Sequence, residues 1–428
     1  MDTIFALASA RGKAGVAVIR LSGTQAWPVA AAICGPLPEA RRSGLRRFRL
    51  GEDVVDEGLL LLFEAGRSFT GEDVAEFHVH GSPAIVSAML RYLGDQPGLR
   101  LAEPGEFSRR ALDNGCLDLT QIEGLGELIE AETEAQRRQA MRVFSGELGA
   151  RVADWRGRLI EASALVAASI DFADEEVPDD LSDLLGSLIA SVINDLRAEV
   201  RGVAVSERIR DGFEVAIVGA PNVGKSTLLN AIVGRQAALT SARAGTTRDV
   251  IEVRVDLDGL AVTFVDTAGL RDSEDEIESQ GIALARRRAA SADLRLFLTE
   301  GAERVEGVDL LSGDLQVGAK ADLYPGSGLR VSGVTGQGVD KVLAEVSARL
   351  GARSAGAALI TRERHRVSVV RALAALELAA AEVDERLIQV ELVGEHLRAA
   401  VHALDVLIGR VDVEDVLGEV FARFCVGK

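Results

Sequence analysis

The sequence predicts a multidomain α/β and α protein: an α+β N-terminal region, a long helical stretch, an α/β module, and then more helix. Three observations predict it. Short β-branched runs punctuated by turn residues fill residues 1–118; apolar positions recur at helical spacing from Leu119; and strands alternate with helices from Gly212 until helix resumes after residues 351–356. A chain of 428 residues has room for about three domains. Each is large enough to fold without a disulfide or metal staple.

The elements follow in order. Residues 15–21 (GVAVIRL) read as a strand ending in the turn Ser22-Gly23, and residues 58–63 and 74–79 as further strands. Residues 82–93 read as a helix opened by Ser82-Pro83, because proline is tolerated in a first turn. Leu119 opens a long helix whose apolar positions include Ile122, Leu125 and Ile129, and later Met141, Val143 and Leu148. Residues 152–170 and 181–205 continue the helical character. The acidic, proline-containing stretch 171–180 between them reads as a solvated loop, with a docking surface for a basic partner as the other reading. Residues 214–218 form a buried strand, and the alternation over 212–350 implies a mostly parallel sheet. Beyond the Gly/Ala/Ser-rich linker, Val369, Leu373, Leu376, Ala380 and Val383 give one apolar helix face. An α/β domain inserted into one discontinuous helical domain explains helix on both sides most economically; two helical domains is the alternative. The expected boundaries are 1–118, 119–210, 211–351 and 352–428.

Composition narrows the function. Lys plus Arg is 48 and Asp plus Glu is 66, a net charge of −18, which repels phosphate backbones and excludes uniform coating by nucleic acid. A local basic patch remains open. Aromatics at 4% exclude interleaved stacking platforms for single strands. Cys34, Cys116 and Cys425 lie far apart with no CxxC spacing, which argues against a disulfide framework or cysteine-rich zinc site and for a reducing compartment. The first apolar run is short and is followed by Arg11, unlike a secretory signal, and no apolar run reaches membrane-spanning length. The expectation is a cytoplasmic protein with no membrane contact.

The chemistry is concentrated in three segments. Residues 219–226 (GAPNVGKS) fit G-x-x-x-x-G-K-[ST], between a strand and a helix, the context this phosphate-binding loop requires. Its glycines let backbone N–H groups close around phosphate oxygens, Lys225 reaches the β and γ phosphates, and Ser226 offers a hydroxyl to Mg²⁺. Asp266-Thr267-Ala268-Gly269 closes another apolar strand; the carboxylate can hold Mg²⁺ through its water shell, and Gly269 can turn its N–H onto a γ-phosphate. Upstream, Thr246 and Thr247, followed by Arg248-Asp249, supply a hydroxyl for the metal. This order predicts a GTPase switch pair. In Ala319-Lys320-Ala321-Asp322, the carboxylate of Asp322 accepts the two N–H donors of guanine and selects GTP; Ala319 stands where the usual NKxD pattern has asparagine. Ser332-Gly333 occupies the place of the usual Ser-Ala. The predicted nucleotide site is Asn222, Val223, Gly224, Lys225, Ser226, Thr227, Thr246, Thr247, Asp266, Thr267, Ala268, Gly269, Lys320, Asp322, Ser332 and Gly333, to which the family resemblance given next adds Ser241.

Together with residues 2–4 (DTI), 19–23 (IRLSG), 69–73 (FTGED), 104–108 (PGEFS), 117–119 (LDL) and the tail 424–428 (FCVGK), these motifs make the chain resemble the MnmE (TrmE) family of tRNA-modification GTPases over essentially its full length. The resemblance implies an N-terminal α+β folate-binding-like domain, a discontinuous helical domain and an inserted Ras-like P-loop GTPase domain. It implies a homodimer, a partner in the FAD protein MnmG (GidA) within a heterotetramer or larger complex, and tRNA as substrate. The implied chemistry adds an aminomethyl or carboxymethylaminomethyl group at carbon 5 of the wobble uridine, from a tetrahydrofolate derivative in the 5-formyl or methylene form. The implied cofactors are Mg²⁺, held by Ser226 and Thr247, and K⁺, placed by Asn222 and the loop containing Ser241, Arg243 and Thr246. The side chain of Arg243 itself reads as solvent-directed.

Further roles follow from the resemblance. Arg20, Glu76, Cys116 and Lys428 fall at folate positions, Cys116 standing where many members carry lysine; Arg109 or Arg110 is the candidate compensation. Leu270 cannot orient water, and Glu278, in an acidic run, is the implied catalytic group beside Lys225. Cys425 reads as a buried small hydrophobe or as a residue of the folate pocket. His78 and His80 share a strand face and read as structural or folate-proximal, not as a metal pair; His365, His396 and His402 read as surface or satisfied. Arg362, Arg364 and Arg366 read as a solvated face, with a tRNA or partner contact as the alternative. The competing reading of the whole chain is a ribosome-assembly-type regulatory GTPase without one-carbon chemistry.

Overall fold

The computed structural model describes residues 2–171, 179–220, 222–235, 239, 252–266, 287, 289–300, 310, 313–354, 356–384, 389–411, 418, 420–421, 424 and 427. The chain divides into two compact units, Met1–Gly126 with Asp405–Lys428, and Glu127–Leu404.

The first unit is built on a six-stranded sheet. Its strands are β1 (Thr3–Leu7), β2 (Ala14–Ser22), β3 (Gly44–Leu50), β4 (Asp53–Phe63), β5 (Val74–Gly81) and β6 (Leu99–Leu101), in the order β3-β4-β5-β2-β1-β6. All neighbours run antiparallel except β1 and β6, which are parallel. The helices α1 (Ala26–Cys34) and α2 (Pro83–Gly94) bury Ala26, Ala30, Ile33, Met89 and Leu93 in one core with Phe48, Leu60 and Phe77 from the sheet. A shorter helix, α3 (Glu106–Asp113), follows Gly105, which has φ 71° and lies against Phe421; a Cβ there would stand 2.8 Å from that ring. The C-terminal segment also packs on α4 (Leu119–Glu130), where Leu119 and Ile122 meet Val420 and Phe421.

The one long helix expected from Leu119 is divided. After α4 come α5 (Glu134–Phe144), α6 (Glu147–Asp171) and α7 (Asp179–Asp211). The expected helix breaks twice: at Ser145-Gly146, where Gly146 has φ 87°, and at Thr133, whose side chain and that of Gln136 form a reciprocal capping box. That box satisfies helix-start N–H groups locally and outweighs continuation of the helix. It also explains why Ile129 and Met141, expected on one buried stripe, are 43% and 42% exposed.

A five-stranded sheet follows: β7 (Phe213–Gly219), β8 (Glu252–Leu257), β9 (Leu260–Asp266), β10 (Leu294–Thr299) and β11 (Leu315–Gly318), in the order β11-β10-β7-β9-β8. It is parallel except for β8, which pairs antiparallel with β9. One face buries Leu228, Leu229 and Ile232 of α8 (Lys225–Val233) and Val342, Val346 and Leu350 of α9 (Val339–Ser354). The helices α10 (Glu363–Asp384) and α11 (Val390–Ile408) complete the chain order. Helix α10 packs along α7, so helices before and after the sheet in sequence share one body. Buried polar contacts fasten the return: Ser206 Oγ donates to the Ala358 carbonyl at 2.9 Å, and the Leu359 N–H donates to Glu199 at 3.0 Å. No helix among the described residues is long and apolar enough to cross a membrane.

Candidate functional site: a cleft beside α8 and an N-terminal ion-pair site

The cleft begins where β7 ends. Gly219 leaves the strand so close to β10 that a Cβ would sit 2.5 Å from the Leu298 carbonyl. Two residues of positive φ then turn the loop, Asn222 at 62° and Gly224 at 107°. Glycine adopts this backbone without steric cost, and asparagine tolerates it better than most residues. Gly224 caps α8, so the first-turn N–H groups of that helix lack helical partners and form a ready anion site.

Lys225 is 5% exposed, and its ammonium donates to the carbonyls of Gly219 at 2.6 Å and Ala220 at 2.8 Å. Burial pushes its pKa below the ordinary lysine value, against the nearby charge of Asp266. A desolvated cation held by neutral carbonyls gains from any anion placed beside it. Ser226 Oγ donates to Asp266 Oδ2 at 2.5 Å, joining the start of α8 to the end of β9. This hydroxyl and carboxylate are the hard oxygen set that fits Mg²⁺.

The opposite end of the cleft is built from two loops. Ala319 is buried, and its N–H donates to the Thr299 carbonyl at 2.7 Å. Lys320 adopts φ 50°, and its carbonyl accepts from the N–H groups of Leu323 and Tyr324. The Lys320 side chain pairs with Glu300, which raises its pKa. Ser332 takes the Gln337 carbonyl through its N–H and accepts from the Thr335 N–H through its hydroxyl. Gly333 lies on α8 so tightly that a Cβ would meet Leu228 N at 2.7 Å. The cleft encloses about 200 Å³. Asn222, Val223, Gly224 and Thr227 line one side; Lys320, Asp322, Ser332 and Gly333 line the other. The structure therefore gathers two predicted groups that lie about a hundred residues apart in sequence; Lys225, Ser226 and Asp266 adjoin them through the contacts above.

In the first unit, Arg20 on β2 stands directly across from Glu76 on β5. Arg20 Nε donates to Glu76 Oε1 at 2.8 Å, and the guanidinium lies 5.7 Å from the ring centroids of both Phe69 and Phe107. His78 Nε2 approaches Glu76 at 3.5 Å, whereas His80 is exposed and bonded to Asp56 at 2.8 Å. No group of three metal-ligating side chains occurs among the described residues. Next to this site, Glu72 accepts from Ser22 at 2.6 Å and from Arg110 at 2.9 Å. Arg110 also binds Asp2 and is 8% exposed. It is thus committed to holding the fold, which removes it as the compensation for Cys116; Arg109 is exposed. Cys116 is exposed, 2.9 Å from where a Cβ on Gly71 would stand. Near the chain end, Gly427 touches β1: a Cβ there would lie 2.3 Å from the Leu7 carbonyl.

Residues 119–425 match the MnmE helical domain, and residues 3–116 match the N-terminus of the GTP-binding protein TrmE. The chain is 59% identical to the tRNA modification GTPase MnmE of Cereibacter sphaeroides and 55% identical to that of Dinoroseobacter shibae, each alignment covering 100% of both chains. The chain belongs to the MnmE family.

Among solved structures, Era from Aquifex aeolicus aligns at 24% identity over 32% of this chain and 56% of its own, with a TM-score of 0.26. Several MnmE positions expected from sequence lie outside the described residues: Ser241, Arg243, Thr246, Thr247, Thr267, Ala268, Gly269, Glu278, Cys425 and Lys428. So does the acidic stretch 172–178. Of the expected solvated arginines, Arg362 is instead half-buried and donates to Glu127 at 2.9 Å, which anchors it in the helical body. His365 is fully buried. Sequence reading passed over the aromatic pair around Arg20. Phe69 and Phe107 each lie inside a segment that carries the MnmE resemblance, but nothing in their spacing brings them together.

Proposed function

We propose that this chain is a GTP-hydrolysing tRNA-modification enzyme whose nucleotide site is the cleft between α8 and the loops at residues 319–323 and 332–334. The observation that carries the reading is the convergence of the 222–227 loop, Lys320-Asp322 and Ser332-Gly333 on one cavity. Such a cavity suits a purine at one end and a triphosphate at the other. Lys225 places its ammonium at the phosphates, the first turn of α8 offers N–H groups, and Ser226 with Asp266 supports Mg²⁺. Asp322 accepts from the guanine edge and favours GTP over ATP.

The finer proposal follows the family pattern. Thr247 adds a hydroxyl to the metal. Asn222 and the loop around Ser241, Arg243 and Thr246 hold K⁺, which when bound supplies fixed positive charge near the phosphates. Glu278 orients water, and Thr267, Ala268 and Gly269 report the γ-phosphate. A reduced folate, in 5-formyl or methylene form, binds near Arg20 and Glu76, with Cys116, Cys425 and Lys428 as further candidates. Arg20 suits a folate carboxylate and Glu76 suits pterin N–H donors, and Phe69 with Phe107 offers flat apolar surface beside them. The chain acts in the cytoplasm as a homodimer with MnmG and tRNA, and adds an aminomethyl or carboxymethylaminomethyl group to the wobble uridine. Its domains are 1–118, 119–210, 211–351 and 352–428, with the nucleotide domain inserted into the helical one.

The test is the GTPase rate of the purified chain in K⁺ against Na⁺, for the wild type and Asn222→Ala. The expected result is stimulation by K⁺ that Asn222→Ala loses. Equal rates in both salts overturn the ion site, and absence of GTP hydrolysis in either salt overturns the nucleotide site.

A further inference from the structure

The base end of the cleft lacks the asparagine side chain of the usual pattern, since Ala319 stands in its place. Something else must fix the loop that carries Asp322. Its backbone makes two bonds to the sheet region, Ala319 N–H to Thr299 and Ala321 N–H to the Val331 carbonyl at 3.1 Å. Arg330 makes the third: its Nη2 donates to the Ala319 carbonyl at 3.1 Å.

The surroundings are shaped for that guanidinium. Residue 330 forms a parallel bridge with Gly318 at the end of β11. A Cβ on Gly318 would lie 2.8 Å from Arg330 Nη1, and one on Gly326 would lie 3.1 Å from the same atom. Two glycines thus leave the slot into which the side chain folds. Among the described residues, the buried Arg330 Nε has no hydrogen-bond partner and no carboxylate lies within ion-pair range of Arg330. A partly buried cation without an acid is costly. Among the described residues, the acceptor it finds is a carbonyl of the base loop. That carbonyl precedes Lys320, whose φ of 50° is unfavourable for a side-chain-bearing residue and needs support from its neighbours.

We infer that Arg330 is a positioning residue for guanine recognition: by gripping the Ala319 carbonyl it holds Asp322 in register with the base, a task a side chain at position 319 would otherwise share. The inference rests on the GTPase reading. It concerns specificity, because a loosened loop weakens the contact that distinguishes guanine from bases lacking its exocyclic amine, while phosphate contacts at Lys225 are untouched.

The test measures binding of GDP, IDP and ADP to the full-length chain by competition against a fluorescent GDP analogue. The variants are Arg330→Ala, Arg330→Lys, Ala319→Asn and the double variant Arg330→Ala/Ala319→Asn. Arg330→Ala should weaken GDP binding about tenfold, the scale of one charge-assisted hydrogen bond, and IDP binding much less, so the GDP-to-IDP ratio shrinks. In hydrolysis, kcat/KM should fall far more than kcat at saturating GTP. Arg330→Lys, which keeps the charge without the planar fork, should fall between. Ala319→Asn should recover part of the lost ratio in the double variant. A GDP-to-IDP ratio unchanged in Arg330→Ala, or in Arg330→Lys if the alanine variant does not fold, overturns the inference. A wild type that binds ADP as well as GDP overturns the GTPase reading instead.

Discussion

At the end of the cleft proposed to take phosphate, the candidate binding groups are backbone, presented by the positive-φ pair Asn222 and Gly224 and by the start of α8. Around Arg20 they are side chains, brought from β2, β5 and the segments holding Phe69 and Phe107. The difference decides how each site fails. A backbone site survives most substitutions and fails where geometry or the central cation is lost. A side-chain site fails when either partner of a pair is removed, because the survivor keeps a half-buried charge.

The largest effect should come from Lys225→Ala. Its loss removes the side-chain cation that donates to the Gly219 and Ala220 carbonyls and should weaken GTP binding by about 100-fold or more, as expected for a charge-assisted contact to phosphate. Calorimetric titration with a non-hydrolysable GTP analogue measures it; an affinity within a few-fold of wild type would move the phosphate site elsewhere. Next comes Glu76→Gln, which leaves Arg20 without its carboxylate. Binding of 5-formyltetrahydrofolate should fall by about 30-fold with GTP binding unaffected, and a fall in both would break the separation of the two sites.

Gly333→Ala sharpens the backbone side of the comparison. Its methyl would press on Leu228 N and Thr227 C, each 2.7 Å away, so α8 or the loop must shift, at a cost of about 1–3 kcal/mol. GTP affinity should drop while thermal stability of the first unit stays constant. Unchanged GTP affinity would show that the close approach is not required.

The smallest effect concerns acid in the first unit. Hydrogen bonding from Arg100 holds Asp2 below its ordinary 3.8. Burial pushes Glu106 up, but Arg100 and the Glu103 N–H outweigh it and leave it below 4.5. A depressed carboxyl stabilises the fold above its unfolded value and loses that contribution as pH falls through the folded one. Arg100→Gln should therefore lower the Tm at neutral pH, and the gap from wild type should close below about pH 4. The gap is modest, about 1 kcal/mol or less after allowing for solvent screening, since Asp2 and Arg100 are exposed. A gap that persists at lower pH would assign the Tm effect to packing.

Much of the cleft was legible because its chemistry is local. A loop that must turn twice and then start a helix leaves a fixed spacing of glycine, lysine and serine, and the strands on either side are short apolar runs. The base end was half legible. Asp322 announces itself through its neighbours, but Arg330 does not, because its role depends on Gly318 and Gly326 leaving space in three dimensions. The first unit was harder. Strands β1, β3 and β6 have no marked alternation, and Glu72, Arg110 and Asp2 meet only after the sheet has formed. The division of the helix at Thr133 was written in the sequence as Thr133 followed by Gln136, a capping box that apolar periodicity alone passes over.

The central claim is that GTP hydrolysis in this cleft serves wobble-uridine modification. Mass spectrometry of nucleosides from tRNA tests it most directly, using cells deleted for this chain and complemented with wild type or Lys225→Ala. The expected result is loss of the carbon-5 aminomethyl-type modification on deletion, recovery with wild type, and no recovery with Lys225→Ala. Full modification in the deleted cells, or full recovery with Lys225→Ala, would contradict it.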